Sequence, residues 1–409
     1  MSATCRPTLG SPSRTHPQAA VGRRVLLGGA LSLAVGAASR PSMAVAATNP
    51  AAGATIFSYG HSYTMMPNPY VTRQGYDEYQ LQLGRRLASG KVVSRGRSAT
   101  SLLDTVSAII APTFAGSSGR RWRIGDQGIV LLHNMMNDVS MLSGGDPDYL
   151  NAFEKALRLA LGVFGARSFI HADVAARVGA GWTAKGYPRV ERGRTWFTKT
   201  YGNRISFQVT GGDSVHVSTL CTDPHVLAQG TLRAECNGVV LGYFGRGQDN
   251  GSYACNRSKT YTDSVDRVTK NRWTPAGWRI SGLNAAAATT GTKTLTLRKV
   301  DNTGAPVWVQ GVYLTSGHPP RVLVAKEPPR NPTAASPGGV VAFNANEPSY
   351  RALIDAVCHE YGSATSVDLR PGWDNTTMVS EKDKAYRFHP NTLGMTCMAD
   401  NFAGALRPA

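Results

Sequence analysis

The sequence predicts an α/β protein whose parallel sheet is interrupted by an antiparallel β-sandwich. Towards both ends of the chain, short apolar runs alternate with amphipathic segments, an order typical of a parallel sheet with helices on both faces. Between residues 191 and 318, short alternating runs are separated by Gly, Asn and Asp turns, a pattern typical of a jelly-roll-like sandwich. With 409 residues the chain is long enough for two domains. We therefore expect α/β parts at residues 47–190 and 319–409, with the sandwich inserted at 191–318.

The first 46 residues have the organisation of an export signal. Arg23 and Arg24 precede a short apolar run that is diluted by glycine, and the small-residue site Ala44-Val-Ala46 follows. The paired arginines favour the twin-arginine route. Because the apolar run is too short to span a membrane, and no second candidate follows, we predict a secreted protein without a membrane span.

The charge of the chain is strongly positive. Residues 1–46 carry five arginines and no acidic residue, so removing them from the formal +18 leaves +13. A charge of this size attracts polyanions such as acidic polysaccharide. Export argues against nucleic acid as the partner, and a solvated basic surface without a specific partner stays open. We expect a monomer that acts without a cofactor.

Five cysteines follow the predicted leader, which itself contains Cys5. They are Cys221, Cys236, Cys255, Cys358 and Cys397. An exported protein favours disulfides, and the placement of Cys358 and Cys397 on two helices predicts a bond between them. An odd count leaves one cysteine free. Neither the cysteine spacing nor any histidine pair resembles a zinc site, so no metal is predicted.

The first α/β part begins with an apolar run that ends at Gly60 and presents Ser62. Glycine permits a sharp turn there, which would place Ser62 at the carboxyl edge of a sheet. The elements predicted next are a helix at 79–87, a short strand within 91–98 that ends in a glycine turn, and a helix at 101–110. A buried strand that runs into polar residues is predicted at 128–138, and a helix begins at Asp146-Pro147.

The second α/β part shows the same alternation of strands and helices. It is predicted to contain a strand at 321–325, a helix opened by Pro348 and ended by Gly362, a strand at 365–369 and a closing helix at 393–406. Within the insert, Asp301-Asn-Thr-Gly304 is typical of a hairpin loop. Trp273, Trp278 and Trp308 are interpreted as exposed aromatics that could stack on sugars, although they could equally form the sandwich core.

Four blocks in order carry a resemblance to a known family. They are Gly60-His-Ser62, Gly96, Asn137-Asp138 and His389-Pro-Asn391 with Gly394. Together they resemble the SGNH (GDSL-type) hydrolases, a secreted esterase superfamily with a flavodoxin-like, three-layer α/β/α fold. The resemblance covers about half of the chain and does not include the inserted sandwich.

The resemblance implies a serine hydrolase mechanism. Ser62 would be the nucleophile, and His389 would remove its proton, because a serine hydroxyl is unreactive without a base. The oxyanion that forms on attack needs fixed donors. In the family these are the nucleophile's own N–H, a glycine N–H and an asparagine amide, which correspond here to Ser62, Gly96 and Asn137.

Three positions depart from the family pattern. His61 replaces the usual Asp of the first block, and Met135 replaces the usual Gly of the third. The family places its acid three residues before the histidine, where this chain has Tyr386. The nearest upstream acid is Asp383, six residues before His389, and we predict it as the third member of a triad. A Ser62–His389 dyad is the alternative.

The sequence therefore predicts a secreted serine esterase that removes acyl groups, acetyl in the first instance, from a polysaccharide. A lipase or a small-ester esterase is an alternative within the hydrolases. A noncatalytic carbohydrate-binding or cell-surface-binding protein on a degenerate hydrolase fold is the alternative from another class. A glycosidase would need paired carboxylates, which the blocks do not offer.

Overall fold

The computed structural model describes most of the chain beyond the predicted leader. The described residues are 52–98, 100–110, 128–141, 147–187, 190, 193–221, 230–245, 248–249, 261–262, 269–270, 274–315, 317–330, 337–383 and 388–407. The predicted signal at 1–46, Cys255 and Trp273 lie outside these ranges.

Seven α-helices and twenty β-strands lie within the described residues. The helices are α1 Tyr79–Arg86, α2 Leu102–Ile110, α3 Met135–Met141, α4 Pro147–Phe164, α5 Leu283–Ala287, α6 Pro337–His359 and α7 Thr392–Leu406. The strands are β1 Thr55–Gly60, β2 Lys91–Ser94, β3 Ile129–His133, β4 Ala166–His171, β5 Ala176–Val178, β6 Thr183–Gly186, β7 Arg194–Thr198, β8 Arg204–Thr210, β9 Val215–Cys221, β10 Leu232–Cys236, β11 Val239–Gly245, β12 Gln248–Asp249, β13 Tyr261–Thr262, β14 Thr269–Lys270, β15 Thr274–Ile280, β16 Thr292–Lys299, β17 Val307–Val309, β18 Gly311–Thr315, β19 Arg321–Lys326 and β20 Ala364–Asp368.

Five parallel strands form the sheet of the α/β part. Their order is β2-β1-β3-β19-β20, so the two strands that follow the sandwich extend the sheet begun before it. All five residues of β3 are buried, which is typical of a parallel sheet covered on both faces. The carboxyl ends of β1 and β3 lie side by side, since Gly60 is in register with His133.

The helices cover the two faces of this sheet. Helices α1 and α7 pack together, with the rings of Tyr79 and Phe402 stacked at 5.3 Å between centroids. Helix α4 packs against α2 and α6. Because crossovers between parallel strands are right-handed, these two groups of helices lie on opposite faces.

The predicted Cys358–Cys397 disulfide is wrong. Cys358 lies on α6 and Cys397 on α7, so the sheet separates them, and both are buried free thiols. The Cys397 thiol contacts the carbonyl oxygen of Pro371 at 3.3 Å. Burial raises the pKa of Cys358 to about 12, which suits a core side chain.

The antiparallel part consists of two main sheets that face each other. The six-stranded sheet has the order β12-β11-β10-β16-β8-β5, and the four-stranded sheet has the order β15-β9-β18-β4. Alternate residues of β8, namely Ile205, Phe207 and Val209, are buried in the core between the sheets. A smaller sheet, β17-β7-β6, lies beside them.

The antiparallel strands begin earlier than the sequence pattern predicts. Strand β4 starts at Ala166, directly after α4, and pairs with β18, so the boundary placed at Glu191 is too late. A strand directly after a helix could belong to a further strand–helix unit of the parallel sheet or begin the antiparallel sandwich. The sequence pattern alone does not distinguish these two possibilities.

Three details of the insert and the second α/β part also differ from expectation. The loop at Asp301 joins β16 to β17, which belong to different sheets, so it is not a hairpin loop. Trp278 and Trp308 are each only 4% exposed and belong to the core. Helix α6 begins at Pro337, so Pro348 lies inside it instead of opening it.

The sandwich packs closely on helix α4. A side chain at Gly277 of β15 would lie 2.6 Å from the Cα of Leu159, and one at Gly162 would meet the ring of His216 at 2.5 Å. Glycines at these two positions allow the helix and the sheet to approach. The α/β part and the sandwich accordingly form one compact unit.

None of the helices within the described ranges combines the length and the apolar character needed to cross a membrane.

Candidate active site

A glycine at the end of β1 places Ser62 at the carboxyl edge of the sheet. Gly60 has φ +152, and a Cβ there would lie 2.1 Å from the carbonyl oxygen of His133 on the neighbouring strand. Any larger residue would push the two strands apart. Ser62 follows at the start of a single 3₁₀ turn, at the edge where open α/β sheets bind their ligands.

The segment that carries His389 is fixed by the start of α7. Asn391 caps this helix, since its side-chain oxygen accepts a hydrogen bond from the N–H of Gly394 at 3.0 Å. A side chain at Gly394 would lie 2.5 Å from the carbonyl oxygen of Met378, so only glycine fits. The N–H of Ser380 donates to the carbonyl oxygen of His389 at 2.8 Å. The Pro-Asn-x-x-Gly block thus positions the histidine that precedes it.

Ser62, His389 and Asp383 form a continuous hydrogen-bonded chain. The Oγ of Ser62 lies 2.9 Å from Nε2 of His389, and Nδ1 of His389 lies 2.9 Å from Oδ2 of Asp383. Since a carboxylate can only accept, the imidazole proton lies on Nδ1, and Nε2 is left to accept the proton of the serine hydroxyl. This is the arrangement of a Ser-His-Asp triad.

Asp383 is held against His389 by backbone as well as side-chain hydrogen bonds. The same Oδ2 also accepts the backbone N–H groups of Phe388 and His389, each at 2.9 Å. Burial opposes the charge of this carboxylate, but the hydrogen bonds from the imidazole and the backbone outweigh it and lower the pKa of Asp383. The structure therefore places an ionised carboxylate behind the imidazole, six residues upstream instead of three.

Aromatic rings hold the imidazole of His389 in place. Tyr70 stacks on it with centroids 3.7 Å apart, and the Phe388 ring lies 4.2 Å away. Burial lowers the pKa of His389, and the neighbouring positive charge of Arg330 adds to this, whereas Asp383 opposes it. A histidine with a lowered pKa is neutral at pH 7 and so can act as a base.

A second, fully buried cluster includes His61, the residue before Ser62 in the chain. Oε1 of Glu327 is 2.6 Å from Nε2 of His61 and 3.3 Å from Nε2 of His133, and it accepts the N–H of Met135 at 3.1 Å. Burial alone would raise the pKa of Glu327, but the two histidines and the donated hydrogen bonds lower it. Glu327, which follows β19, therefore ties the carboxyl end of that strand to those of its neighbours β3 and β1.

This cluster is also the group of described residues that could hold a metal ion, since its donor atoms lie within 4.8 Å of one another. Ligands of one tetrahedral zinc ion at about 2.0 Å would lie roughly 3.3 Å apart. The His61–Glu327 separation of 2.6 Å is that of a hydrogen bond. The arrangement is therefore that of a fully buried core cluster, in which His61 is hydrogen-bonded to Glu327 and His133 lies beside the same carboxylate.

The predicted oxyanion donors are engaged with other groups. The N–H of Gly96 points to the Oγ of Ser94 at 3.3 Å, and the amide of Asn137 donates to the carbonyl oxygen of Thr100 at 2.9 Å. The Asn137 amide keeps a second hydrogen, so this bond does not exclude the predicted role. Both residues adjoin the site, but no contact between either of them and Ser62 is described.

The sequence reasoning missed Asn134. It follows β3 directly, one position beyond the residue in register with Gly60. Its side chain is 3% exposed, and neither its oxygen nor its nitrogen has a hydrogen-bond partner among the described residues. A buried amide without a partner is costly, which makes Asn134 a candidate for contact with a bound substrate. Its position after a buried strand, beside the Ser62 block, is the signal that could have identified it.

A cavity of about 230 Å³ adjoins the site along the ends of β1 and β2. Its lining includes Gly60 and Gly96, together with Arg95 and Arg97. The cavity thus touches Gly60 and Gly96 but neither Ser62 nor His389, and Asp104 in its lining offsets part of the charge of the two arginines.

Comparisons with known proteins leave the family open. No protein-family model matches the chain, and no curated protein matches it. A family 6 carbohydrate-binding module from Clostridium stercorarium, in complex with cellobiose, matches with 19% identity and a TM-score of 0.23, over 36% of this chain and 94% of that one. A family 6 module from Clostridium cellulolyticum, in complex with xylose, matches with 12% identity and a TM-score of 0.25, over 36% and 97%. The insecticidal crystal protein Cry2Aa also matches, with 12% identity and a TM-score of 0.25, over 37% and 22%. Matches this weak do not identify the function of this chain.

Proposed function

We propose that this protein is a serine ester hydrolase of the SGNH type that removes small acyl groups from a polysaccharide. The observation that carries the proposal is the chain from Asp383 through His389 to the Oγ of Ser62, with 2.9 Å at each step. The sheet order β2-β1-β3-β19-β20 also supports it, since this is the order of flavodoxin-like sheets, which bind ligands where β1 and β3 diverge.

The geometry supplies each proton transfer of ester hydrolysis. As the Ser62 oxygen attacks the ester carbon, Nε2 of His389 takes its proton, and the carboxylate of Asp383 stabilises the imidazolium. The imidazolium then protonates the departing sugar oxygen, which leaves an acyl group on Ser62. Water repeats the sequence, releasing the acid and restoring the serine.

Asn134 and Asn137 are the groups suited to stabilise the oxyanion in these steps. Both follow β3 at the edge where the oxyanion would form, and the Asn134 amide has no other described partner. Donors of this kind act where the negative charge develops.

The burial of the site favours a short acyl group. Ser62 is 3% exposed and His389 is 7% exposed, with Tyr70 stacked over the imidazole. A long acyl chain would need an extended apolar groove beside Ser62, whereas an acetyl group needs only a small space. The positive charge of the chain supports an acidic polysaccharide as the carrier of the ester.

The test is hydrolysis of p-nitrophenyl acetate, butyrate and octanoate by the wild type and by Ser62→Ala. We expect turnover that falls with chain length and is lost in Ser62→Ala, with an unchanged melting temperature. Equal turnover by the two proteins on every ester would overturn the proposal. If the wild type alone hydrolyses the esters, release of acetate from an acetylated polyuronate would identify the polymer.

A further inference from the structure

The outer face of the six-stranded sheet carries a row of cations that the proposed chemistry does not use. In the register of four neighbouring strands, Tyr243 lies opposite Arg233, Arg233 opposite Arg298, and Arg298 opposite Arg204. The row therefore crosses β11, β10, β16 and β8 at right angles to the strands.

These side chains point away from the sandwich core. Their neighbours along the strands, including Leu232, Ala234, Leu297 and Ile205, are buried between the two sheets. Because side chains alternate along a strand, the arginines and Tyr243 lie on the opposite face. The four-stranded sheet separates this face from α4, so the row is remote from Ser62.

The row places like charges directly opposite one another, which destabilises a sheet unless something compensates. Arg233 pairs with Glu235 on its own strand. Among the described residues, Arg298 and Arg204 have no acidic partner. The carboxylate of Asp301 is already bound by Lys299 at 2.8 Å. Within the part of the chain that the structure describes, these two adjacent guanidinium groups therefore lie on one face without a compensating carboxylate.

A depression of about 480 Å³ lies along one end of the row. It is lined by Arg233 and Arg298 together with two exposed tyrosines, Tyr201 at 59% and Tyr243 at 37%. A tyrosine ring offers an apolar face and a polar hydroxyl, which suits the mixed surface of a sugar ring. Guanidinium groups bind carboxylates through paired hydrogen bonds.

We propose that this face, the arginine row of Arg204, Arg233 and Arg298 with Tyr201 and Tyr243, binds a carboxylate-bearing polysaccharide across the strands. Neighbouring strands are about 4.8 Å apart, so the three guanidinium groups span about 10 Å and match a polymer with repeated charges better than a single anion. Glu235 and Asp301 are held by Arg233 and Lys299, so they reduce the positive charge of this face without removing it.

Binding at this face stands on its own observations. That the bound polymer is also the substrate rests on the proposed function. We therefore expect the face to hold the polymer while the triad, on the other side of the four-stranded sheet, hydrolyses its esters.

The test measures binding of polygalacturonate to the full chain carrying Ser62→Ala, so that hydrolysis plays no part. Adding Arg204→Gln and Arg298→Gln is expected to weaken binding about tenfold or more, since each removes a charge-assisted contact. The matched control is Lys91→Gln with Arg407→Gln, two exposed cations of the α/β part whose loss removes the same charge. It should retain nearly the affinity of the Ser62→Ala parent.

A second variant is expected to bind more tightly, a result that loss of folding could not produce. Glu235→Gln releases Arg233 from its ion pair and is expected to tighten binding a few-fold, with the effect weakening as salt is raised. Equal affinity of the arginine variant and the control would overturn the proposal. So would single-stranded DNA that binds as tightly as polygalacturonate and loses affinity in the same variant. The two arginine substitutions are also introduced into the protein with Ser62 intact, where turnover of p-nitrophenyl acetate should match the wild type. Failure of the binding proposal would therefore leave the proposed esterase activity untouched.

Discussion

Two histidine–carboxylate pairs adjoin Ser62, one through a hydrogen bond and one through its neighbour in the chain, and both are built from the same chemical groups. In one, His389 bonds to Asp383 through Nδ1 and to the Ser62 hydroxyl through Nε2. In the other, His61 bonds to Glu327 through Nε2, and its Nδ1 accepts the N–H of Tyr63 at 3.4 Å. The second pair is fully buried, and both of its imidazole nitrogens are engaged with fixed groups.

The comparison shows that the partner of the second nitrogen decides what a histidine can do. His389 has a partner that can give up a proton, so the pair can act on Ser62. His61 has a backbone N–H there, which is far too weak an acid to transfer its proton to an imidazole, so the pair can only hold the chain in place. We therefore expect changes to the two pairs to differ in kind as well as in size.

The largest expected effect comes from Asp383→Asn. The amide cannot hold the imidazole in the same tautomer or stabilise the imidazolium, so kcat for p-nitrophenyl acetate should fall by about 10⁴. Steady-state kinetics with a matched measurement of thermal unfolding checks this. A fall of only a few-fold would favour a Ser62–His389 dyad and remove Asp383 from the mechanism.

The pH dependence of kcat/KM separates the two pairs further. His389 must be neutral to act as a base, so activity should rise with pH through its lowered pKa, which lies below 6.5, and then level off. Because Asp383 opposes that lowering, Asp383→Asn should move the rise to still lower pH. Glu327→Gln should leave the pH of this rise unchanged. A shift of equal size in both variants would show that the two pairs do not differ in their effect on His389.

The next effect concerns the oxyanion donors. Asn134→Ala and Asn137→Ala are each expected to lower kcat by roughly two to three decades if the residue donates to the oxyanion. Asn137 also holds the carbonyl oxygen of Thr100, so its loss should reduce the free energy of unfolding by about 1 kcal/mol as well. Kinetics and chemical denaturation of both variants distinguish the roles. A change mainly in KM at either position would assign that residue to substrate binding.

The smallest kinetic effect is expected from Glu327→Gln. The amide still offers one oxygen but removes the charge that His61, His133 and the N–H of Met135 surround. The melting temperature should fall clearly, while kcat should fall only about tenfold, through displacement of Ser62. A loss as large as that of Asp383→Asn in a stably folded protein would show that the buried pair takes part in the chemistry.

Much of the site could be predicted from local sequence, because its residues sit beside elements that local pattern specifies. Ser62 follows a short apolar strand that ends in glycine, and His389 precedes a helix capped by Asn391. Asp383 could be placed only as the nearest upstream acid. The hydrogen bond between its carboxylate and the His389 imidazole spans six residues instead of the family's three, so spacing alone does not predict it.

Other features depend on contacts between distant residues. Glu327 lies 266 residues from His61, and no local pattern links them. The unpartnered amide of Asn134 becomes notable only when its surroundings are known. The start of the sandwich at Ala166 was missed because β4 pairs with β18, about 145 residues later, and not with a neighbour in the sequence.

Covalent labelling of the nucleophile tests the central claim most directly. The wild type, Ser62→Ala and Asp383→Asn would be incubated with an alkyl fluorophosphonate, which phosphonylates an activated serine, and analysed by intact and peptide mass spectrometry. We expect one adduct per chain on Ser62 in the wild type, much slower labelling in Asp383→Asn, and none in Ser62→Ala. A folded wild-type protein that stays unlabelled, or that is labelled equally in Ser62→Ala, would contradict the assignment of Ser62 as the nucleophile.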